Sequence, residues 1–344
     1  MRLERGGNRS GRCPAILIMR IILNDSIDPA FNLAAEEYLL CRRRENVIML
    51  WRNDRSVIIG RNQNAVAEID GDFVREKGIA VIRRMTGGGA VFHDLGNVNF
   101  TFISDYKTGA FNDYKGFTQP VCDFLRTLGV KAELTGRNDL TIDGMKFSGN
   151  AQTVSGDKIM HHGTLMYSAD LSALSGALKP RPIKLQSKGI SSVRSRVTNI
   201  ASHLLRELSV EEFMDALYCY FLEQVPGIEA RGFSEAECRG IERLVAEKYG
   251  KWEWNIGSSP AFTMEKAEKY PFGLVEIGLN VTEGVIRSIQ IRGDFFGKRE
   301  IGELCDRLVG CRHREEDLLE RLAQLELGDY ISGMTKELLV SLIL

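Results

Sequence analysis

Two stretches of this 344-residue chain hold most of its chemically equipped side chains. In the first, an apolar run from Ile79 to Ile82 leads into Arg83 and Arg84 and then three successive glycines, Gly87, Gly88 and Gly89. Ala90, Val91, Phe92, His93 and Asp94 follow directly. Glycines in a row remove every Cβ, so backbone can approach a ligand closely and φ > 0 is open at each position. Exposed N–H groups in such a turn form a concavity for anions, and guanidinium forks beside it bind carboxylate or phosphate in bidentate fashion. A tight hairpin with two solvated arginines would use the same residue types. The turn is neither of the commoner phosphate loops: no Gly-Lys-Ser/Thr follows, and the third spaced glycine of the dinucleotide fingerprint is missing.

The second stretch runs from Gly136 to Ala151. Asp143-Gly144 between alternating residues signals a two-residue hairpin turn, with Asn138 and Asp139 on the incoming arm and Lys146 just past the tip. A further hairpin turns at Ser155-Gly156-Asp157 and returns through His161, His162, Gly163 and Thr164. Residues 179–196 then carry six basic and no acidic side chains with two prolines, which reads as a long mobile loop, functional or disordered, with a solvated surface loop as the alternative. A glycine nest, two arginines, a hairpin lysine, an Asn-Asp pair and a basic loop suit a substrate that is anionic in more than one place. Paired carboxylates, a nucleophile elbow and His-x-x-x-His spacing are absent. The chemistry left is positioning with charge stabilisation, such as attack of a carboxylate on a nucleotide phosphate. A lysine about 4 Å from each anion would contribute roughly 4 kcal/mol per contact at an effective dielectric of about 20.

The whole chain sets limits on this reading. A net charge of −1 argues against a general nucleic-acid binder, and no apolar run is long enough to span a membrane. Seven scattered cysteines without a secretion signal read as free thiols in a cytoplasmic protein. Cys305 and Cys311 near His313 lack paired Cys-x-x-Cys spacing, which disfavours zinc. Residues 1–18 hold four arginines and a poorly flanked apolar run, so a disordered extension or a true start at Met19 is expected.

The positioning elements follow from periodicity and caps. Asp28-Pro29 opens a helix to about Arg44 with Phe31, Ala34, Ala35, Tyr38 and Leu39 on its apolar face and Glu36 and Glu37 off it. Strands are expected at 47–51, 57–60, 79–84, 97–103 and 131–134, and helices at 72–77 and 114–128, the latter stopped by Gly129. Helices at 210–224 and 234–249 come next, the second opened by the capping box Ser234-x-x-Glu237 and stopped at Gly250. A boundary at Gly250 divides a catalytic domain, 19–250, from a small α+β domain, 251–344. Trp252-Glu253-Trp254-Asn255 is read as the docking linker between them.

These motifs taken together resemble the lipoate–protein ligases, of the superfamily that includes biotin ligases and lipoyl or octanoyl transferases. The resemblance rests on Asp28-Pro29-x-Phe31-Asn32-Leu33-Ala34-x-Glu36-Glu37, Trp51-Arg52-Asn53, Ile59-Gly60-Arg61-x-Gln63-Asn64, and Arg83 to Asn97. Gly136 to Leu140, Lys146-x-Ser148-Gly149, His161 to Leu165 and Lys188 to Val197 continue it. It implies an α+β fold: a mixed β-sheet with flanking helices, plus the small C-terminal α+β domain, which is expected to swing between two half-reactions. In these, lipoate and ATP give lipoyl-AMP and pyrophosphate, and a lysine of a lipoyl domain then takes the acyl group. The resemblance makes Lys146 the catalytic residue, touching both the lipoate carboxyl and the α-phosphate. Arg84, Gly89, Ala90, Val91, Phe92, Lys188 and Gly189 would bind ATP and the adenylate. Arg83, Gly87, Gly88, His93 and His162 would border the lipoate, its tail in an apolar tunnel. Asn138 and Asp139 would hold Mg²⁺. Implied acceptors are lipoyl domains of 2-oxoacid dehydrogenase acyltransferase subunits and the glycine cleavage H protein. A transferase taking the acyl group from a carrier protein without ATP would want a nucleophilic cysteine or a Gly-Gly-Arg turn and would lack the small domain. A non-catalytic adenylate sensor would have lost Lys146 or Arg84, and a biotin ligase would carry a Gly-Arg-Gly-Arg loop.

Overall fold

The computed structural model describes residues 19–42, 45–63, 65–107, 110–178, 197–256, 264–282 and 284–344. The expected N-terminal extension and the basic loop with Lys188 and Gly189 lie outside the described residues. In chain order the first elements are β1 (Met19–Leu23), α1 (Pro29–Arg42), β2 (Asn46–Arg52), β3 (Ser56–Ile59), α2 (Ala65–Glu68), α3 (Gly71–Glu76), β4 (Ala80–Arg83) and β5 (Val91–His93). Then come β6 (Asn97–Asp105), α4 (Tyr114–Thr127), β7 (Glu133–Thr135), β8 (Asp139–Ile142), β9 (Met145–Ser155), β10 (Lys158–Met166) and α5 (Leu171–Ala177).

A helix Val210–Gln224 precedes the two-residue edge strand β11 (Glu229–Ala230). The main sheet has eight strands in the order β11-β1-β2-β6-β10-β9-β8-β7. It is mixed: β1 runs parallel to both its neighbours, and the remaining pairs are antiparallel. A small three-stranded sheet, β4-β3-β5, packs beside it and carries the glycine turn between β4 and β5. Alternation along β1 and β2 buries both faces. Ile21, Ile48 and Leu50 meet the helices of α4 and Val210–Gln224, while Ile22, Met49 and Trp51 meet α1 and the helix at 235–244.

Local signals explain the turns. Asp28 Oδ1 accepts from the Ala30 amide at 2.9 Å, which satisfies a donor that the start of α1 would otherwise leave unmade. Asp143 and Gly144 both have positive φ, 50° and 75°, the pair that a tight hairpin requires. Gly129 ends α4's turn with φ 82°.

One expectation is corrected, and later segments gain detail. Glu36 does not lie off the buried face of α1: it is 2 % exposed, because the helix is covered on two sides. The helix that starts after Ser234 ends at Gly250 as expected, its last turn widened, with the Gly250 amide donating to Val245 O at 2.7 Å. Trp252–Asn255 forms a helical turn with Asn255 buried. Periodicity also missed the strand β12 (Met264–Tyr270), whose adjacent Glu-Lys pairs leave no apolar alternation.

With β13 (Gly273–Thr282) and β14 (Val285–Gly293), β12 makes an antiparallel sheet. Helices Ile301–Leu308, Glu315–Leu322 and Lys336–Ile343 cover it around a core of Ile277, Leu304, Leu318 and Leu339. This unit touches the main one at the glycine turn: the Gly88 amide donates to Phe295 O at 3.3 Å, and the Gly293 amide to Asn62 O at 2.7 Å. Arg61 pairs with Glu300 across the same seam.

Candidate active site

The glycine turn, the centre of the main sheet and the 139–149 hairpin line a cavity of about 120 Å³ that opens to solvent. Its sheet wall is polar. On this face β6 presents Asn97, Asn99 and Thr101, all buried, and β10 presents His162 and Thr164. Trp51, paired with Asn99 on the same sheet face, and Leu33, Ile58 and Val91 supply the apolar share of the lining.

Arg84 fixes the glycine turn from inside. Its Nε donates to Thr86 Oγ1 at 2.9 Å, Nη1 to Ile58 O at 3.0 Å, and Nη2 to the carbonyls of Gly87 and Gly89 at 2.8 Å each. Burial pulls its pKa down to about 10, partly offset by Glu36, so the guanidinium stays charged at neutral pH. A chain of polar contacts continues from it. Thr86 Oγ1 lies 2.8 Å from His162 Nε2, and His162 Nδ1 lies 2.9 Å from Glu36 Oε1, which also accepts from Thr101 Oγ1 at 2.6 Å. Beside the carboxylate, Nδ1 carries a proton and donates to Glu36. Glu36 thus ties α1 to the glycine turn through an imidazole. The signal for it was present in the sequence, as a charged residue embedded in an apolar helical run, but periodicity put it outside.

Arg83 and Arg84 diverge. Arg83 does not line the cavity, contrary to its expected place beside lipoate. Its Nη1 donates to the carbonyls of Gly60, Arg61 and Gln63 at 2.9, 2.9 and 2.7 Å, and its Nε to Trp254 O at 2.9 Å. The indole of Trp254 returns a hydrogen bond to Arg83 O at 2.9 Å, so this arginine clamps the 252–255 turn onto β4. The three glycines also differ in role. A Cβ at Gly87 would overlap the Phe295 carbonyl, and one at Gly88 (φ 90°) would come 2.9 Å from the Phe296 ring. Their bare faces admit the small domain, and Gly88 also lines the cavity. Only at Gly89 is the space open, with nothing within 4 Å of an added Cβ. Ala90 and Val91 line the cavity, whereas Phe92 turns into the core of the small sheet with Val57 and Ile59.

Lys146 reaches the cavity through a bulge. The pairing of β8 with β9 slips between Leu140 and Thr141, so that Leu140 faces Ser148 and Thr141 faces Lys146. The extra residue re-aims the lysine. An added Cβ on Gly149 would stand 3.3 Å from Nζ, so the side chain lies across a glycine. Nζ pairs with Asp139 Oδ1 at 2.8 Å, and both side chains keep over a third of their surface exposed, 37 % and 39 %. Asn138 lines the same mouth, its Nδ2 donating to Asn150 O at 2.6 Å, while Asp139 sits just behind the lysine.

The hairpin and the glycine turn are both capped from the small domain. Arg137 stacks over the Phe296 ring at 4.4 Å and donates to Phe272 O. Phe296 itself forms part of the cavity wall. Sequence reading assigned no role to Phe296, Thr86, Asn99 or Asn150.

A mixed-sheet domain holding a glycine turn, a buried arginine and a bulge-borne lysine, with a small α+β domain docked on it, is the architecture of an acyl–protein ligase. Residues 28–222 match the model of the lipoyl protein ligase A/B catalytic domain, and residues 259–343 match that of the bacterial lipoate protein ligase C-terminus. The chain is 40 % identical over 330 residues to lipoate-protein ligase LplJ of Bacillus subtilis strain 168, covering 94 % of this chain and 100 % of LplJ. It is 39 % identical to lipoate–protein ligase 1 of Staphylococcus aureus strain Mu50, over 94 % of this chain and 99 % of that one. The chain therefore belongs to the lipoate–protein ligases. Among solved structures, LipL1 of P. falciparum in complex with lipoate matches 90 % of this chain and 94 % of its own at 25 % identity and TM-score 0.74. Lipoate-protein ligase A bound with ATP matches 70 % of this chain and 99 % of its own, at 29 % identity and TM-score 0.61.

Proposed function

We propose that this ligase works by adenylation followed by acyl transfer. In the first half-reaction a carboxylate oxygen of lipoate attacks the α-phosphorus of ATP, the phosphoanhydride bond breaks, and pyrophosphate leaves. In the second, the neutral ε-amine of a lipoyl-domain lysine attacks the acyl carbon, AMP leaves, and the amine loses a proton. Both partners of the first step are anions, and their repulsion is the main obstacle. Lys146 carries this reading: it is the cationic group at the cavity mouth with freedom to move, and exchanging Asp139 for the two substrate anions would place positive charge where they meet. Arg84 adds fixed positive charge behind the glycine turn, and the N–H groups around the open Gly89 suit phosphate oxygens.

Asn138 and Asp139 fit a magnesium site in donor chemistry. Asp139 keeps Oδ2 beyond its contact with Lys146, and the Asn138 amide uses its nitrogen on Asn150, leaving Oδ1 to point elsewhere. Two oxygens suffice for an ion that keeps waters and takes its other ligands from substrate phosphates. Mg²⁺ so held would neutralise phosphate charge. The division near Gly250 is retained, with the 252–255 turn as the hinge candidate: Phe295 and Phe296 cover the glycine turn and would have to withdraw for an acceptor domain to reach the acyl carbon. Lipoyl domains of 2-oxoacid dehydrogenases and the glycine cleavage H protein are the proposed acceptors. The test is to mix the protein with ATP, magnesium, lipoate and an apo-lipoyl domain and weigh the acceptor. A lipoyl mass increment that needs ATP is expected; an increment of equal rate without ATP would make the enzyme a transferase.

A further inference from the structure

Five buried side-chain polar atoms have no hydrogen-bond partner among the described residues, and two of them, His93 Nε2 and Asn99 Nδ2, belong to residues lining the cavity. The network behind them defines what they are. Asn53 Oδ1 accepts from Asn32 Nδ2 at 2.9 Å, so its Nδ2 faces His93 Nδ1 at 3.1 Å as a donor. His93 Nδ1 is then an acceptor. Burial, then the neighbouring Arg84 and His162, pull its pKa down to about 3, so the ring is neutral and its one proton sits on Nε2. Asn99 Oδ1 accepts from Asn97 Nδ2 at 3.0 Å, leaving the Asn99 amide hydrogens unused. Both free atoms are therefore donors. Trp51 joins them, pairing with Asn99 across β2 and β6 and meeting the His93 ring edge-on with centroids 6.2 Å apart. An unpaired buried donor is costly, and such groups persist where a ligand completes them.

Their place in the sheet fixes which part of a ligand they would meet. Lys146 hangs from β9 over Gly149, the Gly149 amide donates to Thr164 Oγ1 on β10 at 3.1 Å, and Thr164 is in register with Asn99 on β6. Two strand spacings separate Lys146's strand from Asn99's, about 10 Å, comparable to the reach of a medium-length acyl chain. We propose that Asn99, with His93 beside it, recognises a hydrogen-bond acceptor at the far end of the acyl chain, the sulfur atoms of the dithiolane ring, and so selects lipoate over a sulfur-free acid of the same length. The proposal rests on the reading of the carboxylate end at Lys146. It changes the cavity from a passive apolar sleeve to a site with two-point recognition.

The test compares three acids on the full-length protein: lipoate, its carbocyclic analogue 5-cyclopentylpentanoate, and octanoate. Binding is followed by calorimetry and activation by ATP-dependent pyrophosphate release. The wild type is expected to bind lipoate about three- to tenfold more tightly than the carbocycle, the scale of one or two weak neutral hydrogen bonds. In Asn99→Leu that ratio falls towards one through loss of lipoate affinity, while octanoate binds as well or better. The ratio is taken on one preparation, so a smaller folded fraction cancels. If Asn99→Leu yields no folded protein, Asn99→Ala serves in its place, and the wild-type comparison of the two rings still decides whether sulfur is recognised. Equal affinity of the wild type for lipoate and the carbocycle overturns the proposal, as does a ratio that survives removal of the amide. Pyrophosphate release without discrimination sinks this inference alone. Discrimination in binding with no pyrophosphate release from any acid sinks the adenylation reading and leaves the donor pair standing.

Discussion

At the inner side of the cavity, Arg84 makes four hydrogen bonds and is buried with Thr86, His162 and Glu36 in one continuous polar chain. At the mouth, Lys146 has a single ion pair with Asp139, and both side chains are more than a third exposed. Both arms carry positive charge toward the same space, yet only one is free to change partners. The contrast separates two duties. A group that must hold a glycine turn in a strained shape needs many fixed acceptors in low dielectric, whereas one that must follow a charge from substrate to adduct needs few. Arg83 extends the lesson: next to Arg84 in sequence, its side chain donates to five different carbonyls outside the cavity and serves as a clamp.

Four experiments would break or sharpen this contrast. Lys146→Ala is expected to lower the rate of pyrophosphate release by ~10²–10³ while the urea midpoint stays unchanged, since the mouth contributes to the reaction and little to folding. Lys146→Arg should also be slow, because a planar fork does not follow the path of a compact ammonium. Retention of the wild-type rate in Lys146→Ala would remove the lysine from the mechanism.

The inner chain should behave in the opposite way. Glu36→Ala leaves the Arg84 guanidinium and His162 Nδ1 without their buried carboxylate, and a loss of about 3 kcal/mol in unfolding free energy is expected. An unchanged urea midpoint in that variant would show that the inner network does not brace the fold.

Next in size is a pH effect. His93 is held near a pKa of about 3 by burial first, then by Arg84 and His162, and burial likewise holds His161 well below the usual histidine range. Their folded pKa values lie below the unfolded value, so the unfolded chain binds more protons as pH falls below about 6.5. The stability they allow is complete above that pH and drains away as pH drops towards 3. Urea midpoints measured from pH 7 to pH 4.5 should fall steadily; a flat profile would mean that the rings charge without unfolding. The smallest effect concerns the small domain's grip. Arg137→Ala removes the stack on Phe296 and the contact to Phe272, worth about 1 kcal/mol, and should make the 251–344 region easier to cleave by protease without stopping adenylation. Protease resistance equal to that of the wild type would show that docking rests on Phe295 and the glycine turn alone.

Much of the scaffold was legible from local chemistry. Asp28-Pro29, Asp143-Gly144 and Gly129 name their turns because each depends on two or three adjacent residues. The polar wall of β6 was not legible, since Asn97, Asn99 and Thr101 look like solvent-facing alternation and become buried only because α1 packs over that face. Nor was β12 legible, since its adjacent Glu-Lys pairs hide an edge strand.

The sequence by itself determined which residues are present to meet anions, in what order along the chain, and where the backbone can turn, because capping and φ preferences act over a few bonds. Tertiary structure alone decided which arginine faces the cavity, that Glu36 is interior, that Gly87 and Gly88 make room for Phe295 and Phe296, and that a bulge swings Lys146 over Gly149. Those outcomes depend on contacts between segments tens to hundreds of residues apart, where burial and partner supply, rather than local preference, set what each side chain can do.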